Sequence, residues 1–230
     1  GLQKFGLQAR LAIKRYAAYL LPTTGLFAVI GAIRQSVTSF VELEAEQTKL
    51  QQILGGTESS VAGLVSQFQG LATATGISVS ETTKTARTLA QAGFGREDTG
   101  GESGLVEATE LIGKTQLAAT FGNLEEVTDG AIAAMRQFNL TTFELGDALD
   151  TVNQISKDFA VESKDIFEGI KKGGAAFATL GGSVKEFTVL MDLLRDKTRE
   201  SASTLGTFFK TGGIRLFAEK ANDAIMWEAG

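Results

Sequence analysis

A chain of 230 residues that is 43% hydrophobic and 21% charged can bury a sizeable core and does not have the composition of a disordered segment. It has no cysteine, which excludes disulfides, thiol nucleophiles and thiolate metal sites, and no histidine, which removes the commonest general base and transition-metal ligand. Its net charge of −5, isoelectric point near 5.0 and lack of any long basic block argue against sequence-specific nucleic-acid binding and against an anionic lipid surface.

Twenty-seven glycines against one proline suit many helices, with glycine at their ends or at close crossings. The chain begins at Gly1, which predicts a piece of a longer or processed protein, and no signal peptide is recognisable. A first helix is expected over Leu2–Leu21, with a break at Pro22, Thr23 and Thr24. The charge-free run YAAYLLPTTGLFAVIGAI, residues 16–33, lies across that break. At 18 residues it approaches the about 20 of a membrane span. Its middle, however, holds Pro22, Thr23, Thr24 and Gly25. Two helix ends buried in a core or bundle are therefore expected, and a membrane-active segment at 16–33 is the alternative.

From Leu26 the apolar residues Val29, Ile30, Ile33, Val37, Phe40, Val41, Leu43, Leu50, Ile53 and Leu54 recur at helical spacing. They predict one long helix near 25–54 with a single stripe, ended by Gly55-Gly56. The next helix carries Val61, Leu64, Val65, Phe68, Leu71 and Ala72 on one face and stops at Gly76. Ser78 with Glu81 forms an S-x-x-E capping box that opens a helix running to Gln91 or Ala92, with Gly93 as its stop. The polar, glycine-rich stretch GREDTGGESG, residues 95–104, is expected to be an exposed loop. Further starts are expected at Asn123 (with Glu126), Thr141 (with Glu144), Glu162 and Ser183 (with Glu186). Hydrophobic staples are placed at Leu140/Leu145 and Val161/Ile166. No alternating run bounded by hairpin turns occurs. The expected fold is all-α: a multi-helix array of amphipathic helices joined by short Gly/Ser/Thr turns.

Candidate chemical motifs reduce to structure. Gly113-Lys114-Thr115 resembles the end of a phosphate-binding loop, but Ala108 stands where that loop needs glycine, and the stretch reads as mid-helix. GIKKGGAAFATLGG has no preceding strand, so Gly169, Gly173 and Gly174 are expected to permit close helix contact, with Lys171 and Lys172 solvated. Glu42, Glu44 and Glu46 are read as an exposed helix face, and Glu125, Glu126 and Asp129 as a first helical turn. Asp147 and Asp150 show no metal-loop pattern. Trp227 is expected either to pack against chain beyond this segment or to sit in a frayed end. The sequence is thus expected to be no enzyme, with no catalytic, cofactor-binding or metal-binding residues and no cofactor.

Four stretches in order, SFVELEAEQTKL, LATATGISVSETTKTARTLAQAGF, LGDALDTVNQIS and IFEGIKKGGAAFATLGGSVKEFTVLM, resemble the core region of phage tail tape measure proteins of the TP901 type. The likeness covers about residues 35–216 and departs from the family at the long loop 95–104. It implies three parts: an apolar helical segment 1–34, a tape-measure core-like helical domain 35–216, and a helical tail 217–230 continuing into further chain. It further implies a structural virion protein that sets tail length during assembly and is released during genome ejection. The location implied is the lumen of the tail tube, after a stay in the host cytoplasm. The implied partners are tail-tube and tail tip or hub proteins, tail assembly chaperones and a few copies of itself, with host membrane contact during ejection.

Overall fold

Short polar residues punctuate this chain into helices, and the computed structural model describes residues 24–96, 100–159 and 161–213. The elements are α1 (Thr24–Leu54), α2 (Glu58–Thr75), α3 (Val79–Gln91), α4 (Gly101–Lys114), a 3-10 turn (Thr115–Leu117), α5 (Leu124–Phe138), α6 (Thr142–Asp158), α7 (Ser163–Gly169), a π turn (Ile170–Gly174), α8 (Ala175–Thr179), α9 (Val184–Thr198), α10 (Ala202–Phe208) and a second π turn (Phe209–Gly213). The fold is all-α, and the described residues include no strand. The helix expected over Leu2–Leu21, the break at Pro22 and Thr23, and Trp227 lie outside the described residues. Of the run 16–33, only residues 24–33 are described, as the opening of α1; among the described residues no helix is long and apolar enough to cross a membrane.

The helix starts follow from local hydrogen bonding. Ser78, Thr141 and Ser183 each accept from the backbone N–H three residues on, at 3.1, 3.3 and 3.2 Å. Glu81, Glu144 and Glu186 return a carboxylate to the cap's own N–H, completing three capping boxes. Each such cap stabilises its helix by about 1 kcal/mol. Asn123 caps α5 by accepting from Glu126 N–H at 2.9 Å. Helix ends use the left-handed region: Gly76 closes α2 at φ 75°, and Asn139 and Arg199 close α5 and α9 at φ 53° and 59°.

Two local expectations change. The loop drawn over residues 95–104 is too long, because α4 begins at Gly101 and already buries Gly104 and Leu105. Gly100, at φ 86°, turns the chain into that helix, and the Ser103 hydroxyl donates to its carbonyl at 2.9 Å. A further helix, α10, starts at Ser201, which accepts from Thr204 N–H at 3.1 Å.

One contiguous core links both halves of the chain, from Leu50, Leu64 and Phe68 through Ala86, Leu89, Leu105 and Ile112 to Val127, Leu145, Ile166, Phe187 and Phe209. In its C-terminal half the helices approach at backbone distance. A Cβ at Gly173 would stand 2.5 Å from the Gly206 carbonyl oxygen, and one at Gly206 would stand 2.9 Å from the Gly169 carbonyl. The π turn widens α7 here, so that Gly173 faces α10 while Gly174 faces Gln137 and Phe138 of α5. Around this crossing Phe177, Phe187 and Phe209 close a ring cluster with centroids 5.1–5.6 Å apart, where each pair contributes about 0.5–1.5 kcal/mol beyond its buried area.

Among the described residues, Asp192 on α9 is a carboxylate only 5% exposed whose Oδ1 atom has no hydrogen bond. Burial first, and the nearby Asp196 carboxylate second, push its pKa up against the pull of Arg195.

Gly173→Ala is expected to lower stability by about 1–3 kcal/mol, because backbone must move. Gly63→Ala, on the exposed face of α2 with open space around it, is expected to raise it by about 0.5–1 kcal/mol; urea unfolding of the two variants measures both. A carboxyl whose folded pKa is raised costs stability once it ionises. Asp192→Asn is therefore expected to raise Tm at pH 7, and that gain should vanish as the pH falls below the unfolded Asp value of about 3.9.

Candidate interaction surface

The acidic and glycine motifs are absorbed into helix packing. Lys114 ends α4, not its middle, and pairs with Glu110 at 2.6 Å. Thr115 donates its hydroxyl to the Ile112 carbonyl at 2.7 Å, and Gly113 lies against Leu71, so no loop forms there to receive a phosphate. Lys171 and Lys172 are exposed, with Lys171 3.6 Å from Asp129. Glu125 meets Lys84 across helices at 2.8 Å. Asp147 and Asp150 sit apart from the core on the exposed side of α6. Among the described residues no group of three or more acidic side chains is placed to hold a metal ion.

Glu46 departs from the exposed face expected for Glu42, Glu44 and Glu46. Glu42 and Glu44 are exposed, whereas Glu46 turns inward and accepts from Arg87 Nε of α3 at 2.5 Å and from Lys49 at 2.8 Å. The Glu46 and Arg87 side chains keep only 14% and 17% of their exposure, which sets this pair apart from the solvated ion pairs of the surface. Burial alone would raise the Glu46 pKa. Hydrogen bonds from Lys49 and Arg87, and their charges, outweigh it and hold the carboxyl below the usual range. Together with Leu50, Ile53 and Leu54, the pair fastens the C-terminal part of α1 along α3.

The rest of α1 is different. Residues 34–42 are all exposed, and they include Val37, Phe40 (69% exposed) and Val41 (60%). Of the stripe expected along residues 26–54, the described side chains reach the core only from Leu43 onward. At about 100° per residue, Val37 and Phe40 point on average about 90° away from the direction of Leu43, Leu50 and Leu54, and Phe40 lies within about 60° of Leu43 and Leu54. Other exposed large apolar side chains, such as Phe143 on α6 and Val189 with Leu193 on α9, come singly or in pairs, against three within residues 37–41 of α1. The α1 face is therefore the strongest candidate for contact with another element.

Residues 65–229 match the family model described as phage-related minor tail protein. The chain is also similar to a tape measure protein of Pneumococcus phage Dp-1, with 24% identity over 189 residues, 80% of this chain and 16% of that protein. The chain thus spans about one sixth of the length of the curated relative it matches. No solved structure matches it. The exposed face of α1 precedes the part matched by the family model.

Because the Glu46 pKa is depressed by folding, its contribution is complete above the unfolded value of about 4.3 and is lost as pH falls through the lower folded value. A double-mutant cycle of Glu46→Gln and Arg87→Met is expected to give a coupling of about 1 kcal/mol at pH 7 that fades toward pH 3. Chemical unfolding at the two pH values measures it.

Proposed function

The chain belongs to the phage-related minor tail protein family, and from that premise we propose that it is a region of a tape measure protein, a structural component of the tail with no catalytic role. The observation that carries this reading is the similarity to a tape measure protein along 80% of the chain. The TP901-like order of motifs over residues 35–216 supports it.

Physical considerations refine the role. A ruler must be extended, and an extended helix gains about 1.5 Å per residue. Here the helices from α2 to α10 fold back on one core, so the segment spans far less than its contour. We therefore assign residues 35–216 to an assembly module that contacts tail-tube and tip or hub proteins and the tail assembly chaperones. Length setting belongs to the longer chain. Release at genome ejection, residence in the tube lumen and presence in a few copies belong to the same proposal.

Peptide mass spectrometry of density-purified tails is expected to find peptides from residues 35–216; tails that lack them would overturn the reading. Deleting residues 58–213 from the full-length protein separates module from ruler. A module predicts failure of tail assembly, whereas complete tails shortened by about 230 Å, the contour of an extended helix of that size, would make the segment part of the ruler.

A further inference from the structure

We propose that Arg195 is a two-position latch: it holds α9 on α7 through Asp165, and swings one turn back along α9 onto Asp192 when that hold is released. Two enclosed polar atoms lead to this reading. Among the described residues, Asp192 Oδ1 is buried without a hydrogen-bond donor, and Arg195 Nη1 is buried with no N–H directed at an acceptor. An acceptor without a donor and a donor without an acceptor thus lie three residues apart on one helix, a spacing at which side chains meet.

Arg195 is engaged across the helix interface instead. Its Nη1 stands 2.6 Å from Oδ2 of Asp165, in the first turn of α7, with the two side chains 28% and 18% exposed. No hydrogen bond is directed along that approach, so the contact holds by charge. Here α9 runs antiparallel to α7, with Arg195 at Asp165 and Met191 against Gly169. The pair therefore ties the C-terminal end of α9 to the start of α7.

Breaking an enclosed ion pair is normally costly because one charge is left without a partner. Asp192 removes that obstacle, since the guanidinium can pass to it within α9. Protonation sets the balance. A neutral Asp192 has no claim on Arg195, whereas an ionised one competes with Asp165 for it, so rising pH favours release. The other charges nearby are turned elsewhere. Asp196 pairs with Lys197 at 3.2 Å, Lys164 of α7 pairs with Glu162 at 2.6 Å, and Asp158 of α6 accepts from Gln154 at 2.7 Å. Lys185 and Glu186 at the start of α9, Glu168 of α7, Glu144, Asp147, Asp150 and Lys157 of α6, and Lys171 and Lys172 of the π turn are exposed. α10 carries no charged residue. The latch gives the C-terminal half an opening route at α9, and it follows from the bundle itself, independent of the tail assignment.

Carboxyl-carbon NMR of the 230-residue chain reads the exchange through the titration of Asp192. Asp165→Asn frees Arg195 for Asp192 and is expected to lower the Asp192 midpoint by at least about one pH unit, a tenfold change in proton affinity. In an Arg195→Met background the same substitution is expected to leave that midpoint in place. A midpoint that Asp165→Asn does not move, or moves equally without Arg195, would overturn the latch. Native-state hydrogen exchange gives a second reading with Arg195 and Asp165 both present. At pH 7, Asp192→Asn is expected to slow exchange in residues 163–169 and 191–198 by at least about tenfold relative to α2 and α3. Below the Asp192 midpoint the variant and the parent chain should exchange alike. Slowing that is uniform through the bundle, or absent, would equally overturn the proposal.

Discussion

Backbone meets backbone where Gly173 passes Gly206, and the C-terminal half of the bundle is arranged around that contact. Side chains between two helices normally hold them about 8–10 Å apart; with hydrogen alone on both faces, the carbonyl of Gly206 comes within 2.5 Å of where a Cβ would stand. The close approach draws Phe209 onto Phe177 and Phe187. It also needs the π turn at Ile170–Gly174, since a regular helix would not present Gly173 to α10 and Gly174 to α5 together. Glycine, rotated turn and aromatic cluster are one device.

The N-terminal half is held in another way. There α2, α3 and α4 bury ordinary aliphatic faces, and α1 joins them through Leu50, Ile53 and Leu54 and through the inward ion pair of Glu46 with Arg87. Beyond that attachment α1 continues with residues 34–42 exposed. The molecule thus combines a bundle closed on its own core with a helix that offers an apolar face away from it. For a tail protein this division separates a folded module from the element best placed to make contacts, and the second lies before the region that defines the family match.

Much of the helical architecture was legible because its determinants are local. Ser78, Thr141 and Ser183 could be read as starts because each finds its partner glutamate three residues away. The start at Ser201 escaped because its third residue is Thr204, which cannot return a carboxylate to the cap. The start of α4 escaped because Gly100 turns the chain by backbone conformation, with no cap side chain to recognise. Gly169, Gly173 and Gly174 were legible as sites of close contact, but not the helix each would meet.

What the sequence by itself determined about this protein is its all-α class, most helix boundaries, and the lack of histidine and cysteine chemistry. All of these depend on residue identity or on neighbours within a turn of helix. The tertiary structure alone decided that Glu46 faces Arg87, 41 positions away, that α7 widens into a π turn, and that the described stripe of α1 meets the core only from Leu43 onward. Those outcomes depend on which distant surface arrives at each face, and helical spacing repeats alike on faces that are covered and faces that are not.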